Sequence, residues 1–325
     1  MSAFRVLRSL EEWKRAFGSG QNPSVVSVGN FDGLHAGHQK ILRAVIERAR
    51  ADKALAAVVS FDPHPLKVLR PDYAPCLLQT LPQKLSGFSD LGLSAALLLN
   101  FNVHLAAESP EEFVRATIVE TLRAQAVLVG NSFRFGHNQS GDARRLQQLG
   151  ERFGFAVGVI GPATIDGEVV SSSAIRTCIA DGDVAHAAKL LERPFGLTGA
   201  ITRGAGRGSK ILVPTLNLAP EQECLPKTGV YATETLVNGN RYRSATNIGV
   251  RPTFDGSGLT VESHLFDFSE TVTDGRLEVR FWQRLRDEKK FSGAPELLRQ
   301  IAVDLEQARA FFRNFDQEAA AKKPA

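Results

Sequence analysis

Short apolar runs alternate with helical repeats through the first half of the chain, and the pattern changes near residue 193. Ser24 to Val28 is a β-branched run, and beyond the next turn Ile41, Leu42, Val45, Ile46 and Ala49 recur at the spacing of one helix face. Further apolar runs cover 54–61, 93–99, 126–130 and 155–160, separated by helical segments. Five short strands divided by helices predict an α/β fold with a doubly wound parallel sheet. In such sheets ligands bind beyond the carboxyl ends of the strands, so the turns after Val28, Phe61 and Val129 should share one rim.

After a helix ended by Pro194, the repeat becomes that of strands and turns. LTGAIT, ILVPTLNL, GVYATETLV, RYRSATNIG, LTVESHLFDF and RLEVRFW are six strand candidates without helices between them, and Asn238-Gly239-Asn240 is a hairpin signal. They predict a small antiparallel β-barrel. A closing C-terminal helix follows, with Leu297, Leu298, Ile301, Leu305, Ala308 and Phe312 along one side. The expected division is 1–185, 186–315, and a disordered tail over 316–325.

Composition narrows the class without naming a function. The 325 residues suit two ordinary domains, and 43% hydrophobic with 23% charged residues is globular composition. Thirty-nine basic against 35 acidic residues leave a net charge of +4, with no dense basic block. That balance suits polyanions such as nucleotides and predicts no nucleic-acid partner. Cys76, Cys178 and Cys224 form no metal-ligand or disulfide pattern. The first residues lack a signal-peptide core, and no stretch approaches the roughly 20 apolar residues of a membrane span. The expectation is a cytoplasmic protein without a membrane partner; a homo-oligomer stays open.

The densest chemistry lies in GNFDGLHAGH, residues 29–38. Glycines and a helix N-terminus make an anion site, and histidines placed there can donate to a phosphoryl oxygen that gains charge. A side chain at Gly37 would obstruct a ligand lying on this turn. Zinc would need further ligands, and neither HExxH nor CxxC occurs; no Walker loop occurs either. An ordinary turn with incidental histidines is the remaining competitor.

The string G-x-F-D-G-x-H-x-G-H resembles the signature of the nucleotidyltransferase superfamily. FDPHP (61–65), GNSFRFGHNQSGD (130–142) and SSSAIR (171–176) follow in order. The set is similar to the N-terminal module of prokaryotic bifunctional riboflavin kinase/FAD synthetases. That resemblance implies adenylyl transfer from ATP to FMN, giving FAD and pyrophosphate, with Mg²⁺ as cofactor. It implies that His35 and His38 stabilise charge on the ATP phosphates, with Arg176 also catalytic. Gly29, Phe31, Asp32, Gly33, Gly37, Ser132, Ser172 and Ser173 would line the ATP site. Ser132 stands where the family has Asp or Asn, and His137 and Gln139 replace a lysine and an arginine.

In the second half, RGAGRGSK (203–210) by itself is a flexible glycine-rich connection. Thr215 and Asn217 of PTLN fall on one face of a strand and could hold Mg²⁺ and phosphate oxygens. Glu262, a carboxylate in a barrel mouth, could accept a hydroxyl proton, although a solvated glutamate fits its surroundings as well. PTLN, VESHLFDF, GVY, NIGVRPTF and LRDEKKF resemble the riboflavin kinase module. The resemblance implies that Thr215 and Asn217 bind MgATP, that Gly204, Gly208 and Lys210 help hold ATP or flavin, and that Arg286 closes over the flavin. It makes Glu262 the base for the 5′-hydroxyl of riboflavin. SKILVPT lacks an arginine, a glycine and a phenylalanine of the family pattern, and Asp274 stands for a tyrosine. Hence three readings: a bifunctional enzyme making FMN and then FAD, an FMN adenylyltransferase whose barrel only binds flavin, or a non-catalytic flavin- or RNA-binding protein, suggested only by the basic charge balance.

Overall fold

A computed structural model describes residues 3–18, 23–202, 214–253, 256–270 and 272–321. The chain divides into two compact units, Met1–Ser172 and Ser173–Ala325. Among the described residues, no helix is long and apolar enough to cross a membrane.

The first unit is built on a six-stranded parallel sheet. Its spatial order is Arg5–Leu7, Ala95–Asn100, Leu55–Asp62, Ser24–Val28, Ala124–Gly130, Ala156–Ile160. Five of these strands were expected. The sixth, Arg5–Leu7, adds to one edge beside Ala95–Asn100; three residues are too few to display an alternation. Both faces of the sheet are covered. Val26, Val28, Ala57, Val59, Leu97 and Leu99 belong to one core, and Val25, Ala56, Val58, Ala96 and Ala126 to the other. Burial on both sides explains why these strands read as continuous apolar runs.

From Ser24–Val28 the chain winds to one side through Leu55–Asp62 and Ala95–Asn100, then returns to the other side with Ala124–Gly130. The GNFDGLHAGH turn therefore leaves the sheet at its switch point, where flanking connections diverge and open a crevice.

The second unit holds a closed barrel in the order Phe195–Thr202, Leu216–Pro220, Gly256–Leu265, Asn240–Thr253, Gly229–Val237, Arg276–Arg286. All its pairings are antiparallel. Asn238 and Gly239 have φ of 50° and 79°, the left-handed conformations of a tight hairpin turn. The interior contains a hydroxyl network. Thr233 Oγ1 lies 2.6 Å from Thr246 Oγ1 and 2.8 Å from Ser244 Oγ, and Thr246 Oγ1 lies 2.7 Å from Ser263 Oγ. These hydroxyls are fully buried and partner one another, which removes the cost of placing them there.

Helix Ala294–Ala321 packs on the outer wall, where Ala232, Ala245, Phe266, Ala308 and Phe312 form one cluster. The segment expected as a disordered tail is thus corrected: 316–321 is helical, and 322–325 lie outside the described residues. Phe315 packs its ring on Trp282, and Asp316 pairs with Arg243, so the last turns have partners that an alanine-rich sequence does not advertise.

Candidate functional sites on the two units

Strand Ser24–Val28 is buried throughout and delivers the chain to the turn at Gly29. Phe31, Gly33 and Leu34 all have positive φ, at 51°, 85° and 43°. Two non-glycine residues in that region need support from outside the turn. The Asp32 carboxylate accepts from Leu78 N at 3.1 Å, and Gln79 Nε2 donates to Phe31 O at 2.9 Å. Ser172 Oγ donates to Asp32 O at 2.9 Å. Asp32 and Ser172, expected in the ATP site, are therefore occupied in fixing the shape of the turn.

Helix Ala36–Ala51 begins with His35 as its cap, His35 Nδ1 accepting from His38 N at 3.3 Å. Accepting at Nδ1 fixes the neutral tautomer that carries its proton on Nε2. His38 stacks on His35 with ring centroids 3.6 Å apart and planes 18° apart. Phe31 meets His38 edge-on at 5.2 Å. Burial, then the neighbouring His35 and Lys84, push the His38 pKa well below the usual histidine value. Its Nδ1 is buried and, among the described residues, has no hydrogen-bond partner. The pair thus presents an uncharged donor system over a helix start whose first-turn amides, Ala36 and Gly37, have no acceptor within the helix.

Gly37 also has a role internal to the turn. A Cβ there would lie 3.2 Å from both Cε1 and Nδ1 of His35, pressing on the capping ring. Gly29 is similar, with the Phe31 ring 3.2 Å from a Cβ at that position.

The rim contains residues that sequence reasoning passed over. Asn30 Nδ2 lies 3.2 Å from His64 Nε2, joining the first turn to FDPHP. His64 Nδ1 in turn accepts from Leu66 N at 3.2 Å. Lys84, on helix Leu81–Leu91, lies within electrostatic reach of His38, Asp32 and Asp62. No motif contains it, so only the fold reveals it. Ser132 is exposed on the turn after Ala124–Gly130, beside the stacked rings of Phe133 and Phe135. Ser173 and Arg176 fall in the second unit, on helix Ser172–Asp181.

On the barrel, register settles which side chains share a face. Asn217 pairs with Glu262, and Glu262 with Asn247, so three polar residues form a row across three adjacent strands. Ser263 and Thr246, their chain neighbours, point into the hydroxyl-lined interior. Side chains alternate along strands, so Asn217, Glu262 and Asn247 face outward. The carboxylate expected in a barrel mouth stands on the outer wall instead. A Cβ at Gly249 would meet Glu288 Oε1 at 2.9 Å and Asn247 Nδ2 at 3.1 Å, placing a second carboxylate beside the row.

Thr215 is exposed just ahead of strand Leu216–Pro220. Arg286 is committed elsewhere: Nε and Nη2 donate to the two oxygens of Asp304 at 2.7 and 2.6 Å. Gly204, Gly208 and Lys210 lie outside the described residues.

The family model of FAD synthetase matches residues 18–174, and that of riboflavin kinase matches residues 191–312. A bifunctional riboflavin kinase/FMN adenylyltransferase of Pseudomonas fluorescens is 37% identical over 287 residues, covering 88% of this chain and 92% of that protein. Proteins of the same description from Escherichia coli (strain K12) and Bacillus subtilis (strain 168) are each 34% identical, covering 90% of this chain and 94% of theirs. Among solved structures, one from Streptococcus pneumoniae described as a macrolide-efflux protein superposes with a TM-score of 0.85 at 28% identity. It spans 95% of this chain and 99% of its own.

Proposed function

The chain belongs to the family of bifunctional riboflavin kinases/FMN adenylyltransferases, and we propose that its two sites act in series on flavin at the expense of two ATP. The enzyme phosphorylates riboflavin to FMN and then adenylylates FMN to FAD. The observation that carries this reading is the presence of both family modules in order, over 18–174 and 191–312. The barrel matches the kinase family in its own right, which favours the bifunctional reading over a barrel that merely binds flavin.

Residues 1–185 carry adenylyl transfer. A phosphate oxygen of FMN forms a bond to the α-phosphorus of ATP, and the bond from that phosphorus to the bridging oxygen breaks. The electron pair leaves with pyrophosphate. His35 and His38 donate to the phosphate oxygens, their neutral rings matching developing charge without repelling each other. Gly29, Phe31, Asp32, Gly33 and Gly37 keep the turn open to the nucleotide. Ser132 lies toward the nucleotide, Ser172 holds the turn, and Ser173 and Arg176 take the phosphate-gripping role implied by their motif. Arginine suits that role because its planar fork engages two oxygens.

Residues 186–315 carry the kinase step. Glu262 accepts the proton of the riboflavin 5′-hydroxyl as that oxygen bonds to the γ-phosphorus of ATP, and ADP leaves. A hydroxyl and an amide oxygen are oxygen donors of the kind Mg²⁺ takes, and Thr215 and Asn217 would supply them, Asn217 standing opposite Glu262 in the register. Held there with substrate phosphates, Mg²⁺ would supply charge neutralisation. Arg286, held by Asp304, fixes the strand end from which the flavin-covering segment departs. Gly204, Gly208 and Lys210 take the ATP- or flavin-binding role implied by their motif. Consumption of ATP by both steps is in keeping with a cytoplasmic enzyme.

The test uses the full chain with ATP and Mg²⁺, supplied separately with riboflavin and with FMN, and products resolved by chromatography. FMN and FAD are expected from riboflavin, and FAD from FMN. Absence of FAD from FMN would overturn the adenylyl-transfer reading; FAD from FMN with no FMN from riboflavin would select the single-activity alternative.

A further inference from the structure

Lys84 is a long, half-buried cation near the paired histidines, and neither the motifs nor the chemistry above uses it. Helix Leu81–Leu91 is attached to the GNFDGLH turn by several contacts. It opens with a complete capping box, in which Thr80 Oγ1 accepts from Gln83 N and Gln83 Oε1 accepts from Thr80 N. The two residues before Thr80 are tied to the turn by Leu78 N to Asp32 and Gln79 Nε2 to Phe31 O.

Positions 84, 87 and 88 lie on one face of that helix. Phe88 packs edge-on against Phe31 with centroids 5.8 Å apart. A Cβ on Gly87 would lie 2.4 Å from Leu34 Cδ1, so the helix meets the turn there at glycine distance. Lys84 consequently faces the same turn, and its charge acts on His38, Asp32 and Asp62. These gather where the adjacent strands Ser24–Val28 and Leu55–Asp62 end: Asp32 in the turn after the first, His38 in the first turn of the helix that follows, and Asp62 the last residue of the second.

Among the described residues the Lys84 ammonium has no hydrogen-bond acceptor and no ion-pair partner in contact. The Asp32 carboxylate is already bound by Leu78 N. Burial lowers the Lys84 pKa, and the charges of Asp32 and Asp62 only partly oppose this. A desolvated ammonium without a contacting anion is costly to keep, and it binds an incoming polyanion strongly.

We propose that Lys84 is a further catalytic residue of the adenylyl-transfer site, donating to the triphosphate of ATP and to the pyrophosphate that leaves. The proposal rests on the adenylyltransferase reading and adds to it a charged group that its motifs do not contain. Stacked neutral histidines donate hydrogen bonds but carry no full charge; Lys84 supplies one where negative charge accumulates as the bridging bond breaks.

The experiment compares the full chain with Lys84→Met and Lys84→Arg, following FAD formation from FMN while ATP and FMN are varied in turn. Lys84→Met is expected to lose about 10- to 100-fold in kcat/KM for ATP, the range for a hydrogen bond to a charged group. KM for FMN should stay within about threefold, product inhibition by added pyrophosphate should weaken in parallel, and Lys84→Arg should recover part of the loss. Phosphorylation of riboflavin by the same preparations should be unchanged, and thermal unfolding followed by circular dichroism checks that the variants are folded. ATP kinetics and pyrophosphate inhibition within twofold of the parent protein would overturn the proposal, as would a change confined to KM for FMN. If Lys84→Met fails to fold, Lys84→Arg decides: a shift in pyrophosphate inhibition supports the proposal, and none overturns it. Should the unaltered chain make no FAD from FMN, the failure lies with the functional reading itself.

Discussion

His38 is half-buried with its Nδ1 enclosed, stacked on another histidine and kept uncharged, and its pKa has a consequence for stability. Below the ordinary histidine value of 6.5, the unfolded chain binds a proton at this position that the folded chain refuses. The folded-state pKa is depressed, so the stability linked to this residue is present above 6.5 and is lost as pH falls toward the folded value. His38→Gln should therefore flatten the fall in stability on acidification below pH 6.5, measured by urea unfolding across a pH series. An unchanged slope would mean that the folded and unfolded chains protonate this ring alike. The same substitution should cost FAD formation at least about 100-fold, if the ring is one of the donors to the reacting phosphates.

At the scale of elements, the functional residues depend on fasteners that take no part in chemistry. The turn after Ser24–Val28 is held by contacts from the 78–79 segment and Ser172, and the end of strand Arg276–Arg286 by Arg286 and Asp304. The Arg286 and Asp304 side chains are 14% and 6% exposed, so removing one partner strands a buried charge. Asp304→Ala should destabilise the second unit by about 3–5 kcal/mol. Calorimetry should show its transition shifted down, with riboflavin phosphorylation falling more than FAD synthesis from FMN. Equal losses in both activities would show that the pair is not specific to the kinase strand.

At the scale of the molecule, two compact units carry the two family modules, and the two chemistries should be separable. His38→Ala is expected to abolish FAD formation while sparing FMN formation, and Glu262→Gln to do the reverse. Mixed in solution with riboflavin, ATP and Mg²⁺, the two variants should make FAD that neither makes alone, because the intermediate FMN can pass from one chain to another. No FAD from the mixture, with each remaining activity intact, would show that FMN does not leave the chain that made it.

Much of this was legible in the order of residues, because local patterns obey local rules. Apolar runs of strand length, the helical repeat after GNFDGLHAGH, six closely spaced strands and an Asn-Gly hairpin are written in neighbouring positions, and the folded chain has them. The histidine pair was legible too, since three residues of spacing at a helix start brings two rings together. What the sequence could not contain was anything decided by contact between distant segments. Asp32 reads as a ligand-facing carboxylate until Leu78 claims it, and Arg286 reads as a flavin residue until Asp304 does. Lys84 is silent in the sequence because its significance comes from Phe31, Leu34 and the charges near His38, some fifty residues away along the chain. Glu262 moves from barrel mouth to outer wall because barrel closure, a property of all six strands at once, fixes which of two alternating faces is inside. The sequence by itself determined the elements and the chemistry to look for. Tertiary packing decided which polar groups remain available to a substrate, because burial and hydrogen bonding between segments consume the rest.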